Sequence, residues 1–311
     1  MGNTMNEERF FEPNATSLDN LEKNLDSCKR NIQLRRCEIA FLTDSILDMA
    51  KERLDIGMSG YEILLGLSDE IDYLSPSVSK EGVLEKMPDL MDKAAFASII
   101  TEKLAEIGME LSVSDFLQAE DTPETFVYVR NSLSDEAYDV FSQEFSDPKV
   151  SYRDSFREAA FAVADGKSGY CILPYEEAGG ARIPGIYNLV AKLDLKITAI
   201  TPVFGIAGNS EVKYALFSRD FVIPKRDSET DRYLEIKISD SDKLSLSELI
   251  GAAEHFGLKV IKINTMAPFG EGEEKYYSIV LREDGDFVPF LTYVTLFASD
   301  LTPMGIYKNI E

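Results

Sequence analysis

The stretch GYCILPYEEAGGARIPGIYNLV, residues 169–190, predicts a buried strand, a glycine-rich turn and a helix in direct succession. The apolar run at 170–174 is typical of a strand that is covered on both faces. Gly179 and Gly180 then indicate a turn, and the apolar spacing from 185 to 193 indicates a helix. This order predicts an α/β unit. The adjacent carboxylates Glu176 and Glu177 make its turn a candidate active site.

Composition limits the possible partners of the chain. It has 311 residues, of which 44% are hydrophobic, and this suits two or three globular domains. Lys and Arg number 32 against 55 Asp and Glu, a formal net charge of -23. Because this charge repels phosphate backbones and anionic lipid, we expect neither a nucleic-acid nor a membrane partner. A small anionic ligand would require lysines and arginines concentrated in one pocket.

Cysteine and histidine usage argues against metal chemistry. Cys28, Cys37 and Cys171 lack CxxC spacing, and the only histidine is His255. A disulfide framework, a zinc site or a histidine-based triad is therefore not expected, and we predict no cofactor and no metal. The acidic N-terminus is unlike a signal peptide, and no apolar run approaches the ~20 residues that span a bilayer. We expect a cytoplasmic protein.

The chain divides by pattern into four parts. Residues 1–16 are expected to be a flexible N-terminus and 17–118 an all-α unit, because apolar residues recur at helical spacing. Residues 125–223 alternate strands with helices, which predicts a small α/β lobe. Residues 232–311 read β-α-β-β-α-β, the ferredoxin-like order. The predicted fold class is thus multi-domain α and α/β.

Within the predicted all-α unit, two arginines lie seventeen residues apart in a long predicted helix, in RCEIAFLTDSILDMAKER at 36–53. Together with the order of the units, this segment resembles the bifunctional chorismate mutase/prephenate dehydratase family of phenylalanine biosynthesis. The resemblance implies that Arg36 and Arg53, with Lys80 in SKEGVL, bind carboxylates of a shikimate-pathway acid. A guanidinium suits that role because it binds a carboxylate bidentately.

The strand at 170–176 resembles the segment of prephenate dehydratases that ends Pro-Ile-Glu-Asn-Ser before a glycine and a helix. The resemblance implies ligand binding by Glu176, Glu177, Gly179 and Gly180. However, Glu177 and Ala178 replace the asparagine and the serine of this motif. A carboxylate at the position of the asparagine repels an anionic substrate.

A late strand of the same family carries a threonine-arginine-phenylalanine motif, and EVKYALFS aligns with it at Val212, Lys213 and Tyr214. Valine has no hydroxyl to donate, so Glu176 and Lys213 remain as the candidate catalytic residues. Dehydratases of this family have two lobes with the active site in the cleft between them, and residues 125–220 align with one lobe only. A site with only one of its two walls cannot exclude water.

The last unit resembles an ACT domain, the regulatory module of the same family. Candidate effector-site residues are Leu246, Met266 and Pro268. The resemblance also implies self-association as a dimer, through the helical and ACT-like units.

Three hypotheses follow. The first is a non-catalytic relative of this family that binds an aromatic acid or amino acid, has a regulatory role, and self-associates. The second is an enzyme that retains chorismate mutase or prephenate-related activity, with Glu176 or Glu177 as general acid. The third is a helical adaptor. Convergence of Arg36, Arg53 and Lys80 in one pocket would favour the second.

Overall fold

The computed structural model describes residues 90–117, 119–204, 211–226, 230–239, 245–266, 276–298 and 301–310, and, nearer the N-terminus, 20, 23–30, 33–34, 44, 47–48 and 62–65. The expected flexible segment 1–16 lies outside the described residues, and so do Arg36, Arg53, Lys80 and Pro268. The convergence of the two arginines and Lys80 therefore stays a prediction.

The described residues from 90 onward form seven α-helices and nine strands. The helices are α1 (Leu90–Glu106), α2 (Val113–Phe116), α3 (Ser132–Phe141, continued by a 3-10 turn at Ser142–Glu144), α4 (Phe156–Ala164), α5 (Pro184–Lys192), α6 (Leu246–His255) and α7 (Phe287–Phe297). The strands are β1 (Thr125–Tyr128), β2 (Lys149–Tyr152), β3 (Tyr170–Glu176), β4 (Lys196–Phe204), β5 (Glu211–Ser218), β6 (Arg232–Ser239), β7 (Lys259–Met266), β8 (Tyr276–Arg282) and β9 (Thr302–Asn309). The mixed α/β class is as predicted from the sequence.

All of these strands join in one mixed sheet with the order β2-β1-β3-β5-β4-β9-β6-β8-β7. Strand β1 is parallel to β2 and β3, whereas β5 is antiparallel to β3 and β4. The parallel pairing of β4 with β9 links the strands of 125–223 to those of 232–311. The two segments, which the sequence pattern predicts as separate domains, therefore hydrogen-bond within a common sheet.

The second segment follows the β-α-β-β-α-β order that the sequence predicts. Its strands lie in the order β9-β6-β8-β7, and each neighbouring pair is antiparallel. Helix α6 begins at a capping box, in which the Ser245 hydroxyl accepts a hydrogen bond from the Glu248 amide and the Glu248 carboxylate accepts one from the Ser245 amide. Such reciprocal capping satisfies two amides that the first turn leaves unpaired.

Helix α1, which lies within the predicted all-α unit 17–118, packs against the helices of the second segment. The ring centroids of Phe96 and Phe297 are 6.2 Å apart, and the Thr101 hydroxyl donates to the Thr292 hydroxyl at 3.2 Å. These residues belong to a core that also includes buried side chains of α6, α7, β6 and β8. Burial of its apolar face thus fixes this helix to the sheet.

The sheet curls around α4 and α5. Glu176 of β3 contacts Lys262 of β7, with 2.8 Å between the carboxylate oxygen and Nζ, although five strands lie between theirs in the sheet order. Tyr187 and Val190 of α5 lie in the second core, together with buried side chains from β3, β4, β5, β7, β8 and β9. Twist accumulates across a sheet of this width, and here it brings the two strands together. The candidate site lies where they meet.

Candidate functional site

The glycine-rich turn folds the chain back on itself immediately after β3. Glu176 and Arg182 form an antiparallel bridge, and the Glu177 amide donates to the Ala181 carbonyl at 2.9 Å. Gly179 and Gly180 have φ angles of 102° and 90°. These left-handed conformations are accessible to glycine at little cost. The glycine pair therefore places Arg182 over Glu176.

Arg182 forms two buried ion pairs. Its Nη1 donates to Glu176 Oε2 at 2.6 Å, and its Nη2 donates to Glu235 Oε2 at 2.6 Å. The Arg182 side chain is 3% exposed and that of Glu235 is 0% exposed. The guanidinium also lies over the Tyr175 ring, 4.1 Å from its centroid. Charge pairing, hydrogen bonding and ring contact together compensate for taking these charges out of water.

Two hydroxyl groups also donate hydrogen bonds to the Glu235 carboxylate. The Tyr175 hydroxyl donates to Glu235 Oε1 at 2.8 Å, and the Ser278 hydroxyl donates to the same oxygen. Two donors remain unused: Arg182 Nε and the Tyr187 hydroxyl have no hydrogen-bond partner among the described residues, although Tyr307 and Ser278 respectively lie close by. A water or a ligand oxygen could satisfy such donors.

Two lysines border the network on its solvent side. Lys213 Nζ lies 3.5 Å from Glu176 Oε1, and Lys262 Nζ lies 2.8 Å from Glu176 Oε2. Their side chains are 38% and 26% exposed. Arg182, Lys213 and Lys262 thus face Glu176 and Glu235, an excess of one positive charge. We call the surface of Lys213 and Lys262 beside Glu176 the lysine mouth.

Burial and charge shift the pKa of Arg182 and of three tyrosines around it. Burial alone would lower the pKa of Arg182, but the negative charge of Glu235 and the other neighbours raises it overall. Burial raises the pKa of Tyr175, Tyr187 and Tyr307 well above the ordinary value for tyrosine. These hydroxyls therefore stay protonated at neutral pH and do not act as bases.

The structure brings together some of the residues that the sequence singled out. Glu176 and Lys213 are in contact, Gly179 and Gly180 form the turn, and Glu177 is exposed beside them. Val212, next to Lys213, has no hydroxyl to offer. The two carboxylates do not form a pair, because Glu176 points into the network.

The described candidates for the effector site lie elsewhere. Leu246 is the first residue of α6 and packs against the core of α1 and α7, and Met266 is buried in the core that contains α5. Both side chains therefore contribute to packing in this structure.

Sequence reasoning missed Arg182, Glu235, Lys262 and Ser278. Glu235 lies on the same side of β6 as Lys237 and Ser239, a pattern that predicts a solvent-facing side chain, yet Glu235 is buried. A charge at such a position requires a partner, and its partner is 53 residues away in sequence. Nothing in the local pattern around Arg182 indicates that pairing.

Comparison with known proteins gives similarities of fold only. No protein-family model matches the chain, and no curated protein matches it. Among solved structures, prephenate dehydratase from Streptococcus mutans is 14% identical, with 60% of this chain and 99% of that chain covered and a TM-score of 0.47. Prephenate dehydratase from Arthrobacter aurescens in complex with L-Phe is 11% identical, with 59% and 89% covered and a TM-score of 0.43.

A third similar structure has a different description. GqqA, described as a novel type of quorum quenching acylase, is 16% identical, with 60% of this chain and 95% of that chain covered and a TM-score of 0.45. Similarities at these identities and TM-scores do not assign an activity. The chorismate-mutase-like and ACT-like units rest on the sequence resemblance and stay predictions.

The described residues contain no group of three or more His, Cys, Asp or Glu side chains placed to hold a metal ion. No helix within the described ranges combines the length and the apolar character needed to cross a bilayer.

Proposed function

We propose that this protein is a diverged, non-catalytic relative of chorismate mutase/prephenate dehydratase that binds a small carboxylate, an aromatic acid or amino acid, at the lysine mouth. The observation that carries the proposal is the Arg182 ion pair. The resemblance implies that Glu176 binds substrate. In this structure the Glu176 carboxylate instead forms an ion pair with the chain's own Arg182.

The non-catalytic part rests on how Glu176 is engaged. Its Oε2 accepts from Arg182 and lies 2.8 Å from Lys262, and its Oε1 faces Lys213. A general acid or base must reach the reacting atom within hydrogen-bond distance. Here both oxygens are already held by cations, and the nearby hydroxyls of Tyr175 and Ser278 donate to Glu235.

The binding part rests on charge. The network carries three cations against two carboxylates, in a chain whose formal net charge is -23. Lys213 and Lys262 are partly exposed, so each can turn from Glu176 to an incoming carboxylate without losing all of its hydration.

Turnover and binding measurements test the two parts separately. Purified protein is assayed for conversion of chorismate and of prephenate, and binding of phenylpyruvate, prephenate and phenylalanine is measured by calorimetry. We expect binding of at least one of them and no turnover. Conversion of either substrate would overturn the non-catalytic part, and the absence of binding to all of them would overturn the binding part.

Lysine variants locate the ligand. Lys213→Gln and Lys262→Gln each remove a charge-assisted contact, and we expect roughly 10-fold weaker binding. Lys192→Gln, at the exposed end of α5, removes the same charge elsewhere and is the matched control. Equal affinities of all three variants would contradict binding at the lysine mouth.

Self-association as a dimer, through the helical and ferredoxin-like units, belongs to the same proposal. The chain has a mass of 34.8 kDa, so sedimentation equilibrium distinguishes a monomer from a dimer directly. A mass equal to that of one chain at micromolar concentration would remove this part. The helical adaptor remains the alternative if no small molecule binds.

A further inference from the structure

A cavity of about 400 Å³ lies on another part of the sheet, beside α3 and its 3-10 turn. Strands β3, β4, β5 and β9 and the segment after β5 contribute its walls. It shares no residue with the Arg182 network or the lysine mouth. Its volume falls in the range of about 300–1,000 Å³ typical of small-molecule sites.

The inner surface of the cavity is aromatic and aliphatic. Phe141, Phe145 and Tyr170 form one wall, and the Phe145 and Tyr170 rings meet edge to face with centroids 5.1 Å apart. Phe141 is 0% and Tyr170 is 3% exposed, so these rings are held by the surrounding core. The aliphatic lining comes from Ala199, Leu216, Val222, Pro224 and Ile310.

Charge is confined to the rim. Lys225 and Lys308 line the cavity with Glu144, and Lys308 forms an ion pair with Glu144. Lys225 is exposed and makes no ion pair among the described residues. Both hydroxyls of the lining are already engaged: that of Thr198 donates to the Leu216 carbonyl at 3.0 Å, and that of Tyr170 is hydrogen-bonded to Thr122. Polar recognition therefore falls to the lysines.

We propose that this cavity is a second ligand site, which binds an aromatic carboxylate. The ring of the ligand would lie among Phe141, Phe145 and Tyr170, where aromatic groups favour edge-to-face contact. Its carboxylate would lie at the rim, where two lysines outweigh one glutamate. A cationic ligand gains no partner beyond Glu144, which Lys308 already binds.

The test uses 4-fluorophenylacetate and its neutral analogue 4-fluorophenylacetamide, observed by fluorine NMR on the full chain. We expect saturable binding of the acid and at least 5-fold weaker binding of the amide. Absence of saturable binding, or equal affinity for the two compounds, would overturn the proposal.

Variants place the ligand in the cavity. Lys225→Gln changes an exposed side chain, leaves the core intact, and is expected to weaken binding of the acid several-fold. Ala199→Phe fills the cavity and, combined with Lys213→Gln and Lys262→Gln so that the lysine mouth cannot hold the acid, is expected to abolish binding, with the melting curve as the check on folding. Lys192→Gln is the control for loss of a surface charge. Unchanged affinity in Lys225→Gln would contradict the proposal.

The proposal does not depend on the lysine mouth, and one further variant separates the two sites. Lys213→Gln leaves the cavity unaltered, so this variant should still bind the acid. Loss of binding in Lys213→Gln would place the compound at the lysine mouth and overturn the second site.

Discussion

Arg182 and Glu235 form a buried ion pair that joins the turn after β3 to the strand β6, with 2.6 Å between Nη2 and Oε2. The first residue belongs to the segment 125–223 and the second to the segment 232–311. The pair therefore holds together two parts of the chain that the sequence pattern describes as independent units. It also answers why a glycine pair follows Glu176, since the turn brings Arg182 to both carboxylates.

Replacing Arg182 tests the importance of this pair for stability. Arg182→Met leaves Glu176 and Glu235 buried without their shared cation, and breaking a buried pair in this way costs about 3–5 kcal/mol. We expect a loss of this size in the free energy of unfolding, measured by urea denaturation. The control is Arg219→Met, whose partner Asp220 lies at the surface, and it should cost less than ~1 kcal/mol. A similar small loss for both variants would contradict a structural role of Arg182.

Gly305 allows the close pairing of β9 with β4. A Cβ on Gly305 would lie 2.3 Å from the Ile197 carbonyl oxygen and 2.6 Å from the Ile197 nitrogen. Gly305→Ala should therefore separate the strands at this point and destabilise the fold by about 1–3 kcal/mol, as overpacking does. Gly185→Ala is the control, because no atom lies within 4 Å of the added Cβ. Within α5 it should stabilise by roughly 0.5–1 kcal/mol.

Alkaline pH should destabilise the protein through its buried tyrosines. Burial raises the pKa of Tyr175, Tyr187 and Tyr307 above the unfolded value near 10. Above that pH the unfolded state loses protons that the folded state retains, so stability is full below about pH 10 and falls as pH rises. Three such groups give a slope of about 4 kcal/mol per pH unit at the steepest.

Unfolding in urea at several pH values between 9 and 11 measures this slope. Tyrosinate absorbance reports ionisation clearly because the chain has no tryptophan. Tyr307→Phe removes one of the three groups, and the slope should fall by about 1.4 kcal/mol per pH unit. An identical slope in this variant would show that Tyr307 ionises as readily in the folded state as in the unfolded state.

Cys171 should be chemically inert in the folded protein. Its side chain is 0% exposed, and burial raises the pKa of its thiol. The thiolate is the reactive form, so a double variant Cys28→Ser and Cys37→Ser should not react with Ellman's reagent until it unfolds. Reaction of the native double variant on the scale of seconds would contradict the packing of β3.

The local elements could be predicted because their signals are local. The apolar run at 170–174 predicted β3, which extends from Tyr170 to Glu176. The order β-α-β-β-α-β followed in the same way. The position of α1 could not be predicted from local signals, because an apolar helix face can pack equally well against other helices or against a sheet.

The candidate site shows the same division. The sequence by itself determined that the chain would turn after Glu176, since the two adjacent glycines allow a conformation that other residues rarely adopt. It also determined the carboxylates of the turn and, through Lys213, one of the cations near them. These features depend on neighbours along the chain.

Only the tertiary structure decided which charges meet. Glu176 lies on β3, Glu235 on β6 and Lys262 on β7, and they come together because the pairing of β4 with β9 closes one sheet that then curls around α5. Strand pairing and curvature depend on hydrogen bonds and apolar contacts between distant segments, which no local pattern encodes. The physical reason is that a buried guanidinium must be paired, and the carboxylates that pair with Arg182 come from opposite halves of the sheet.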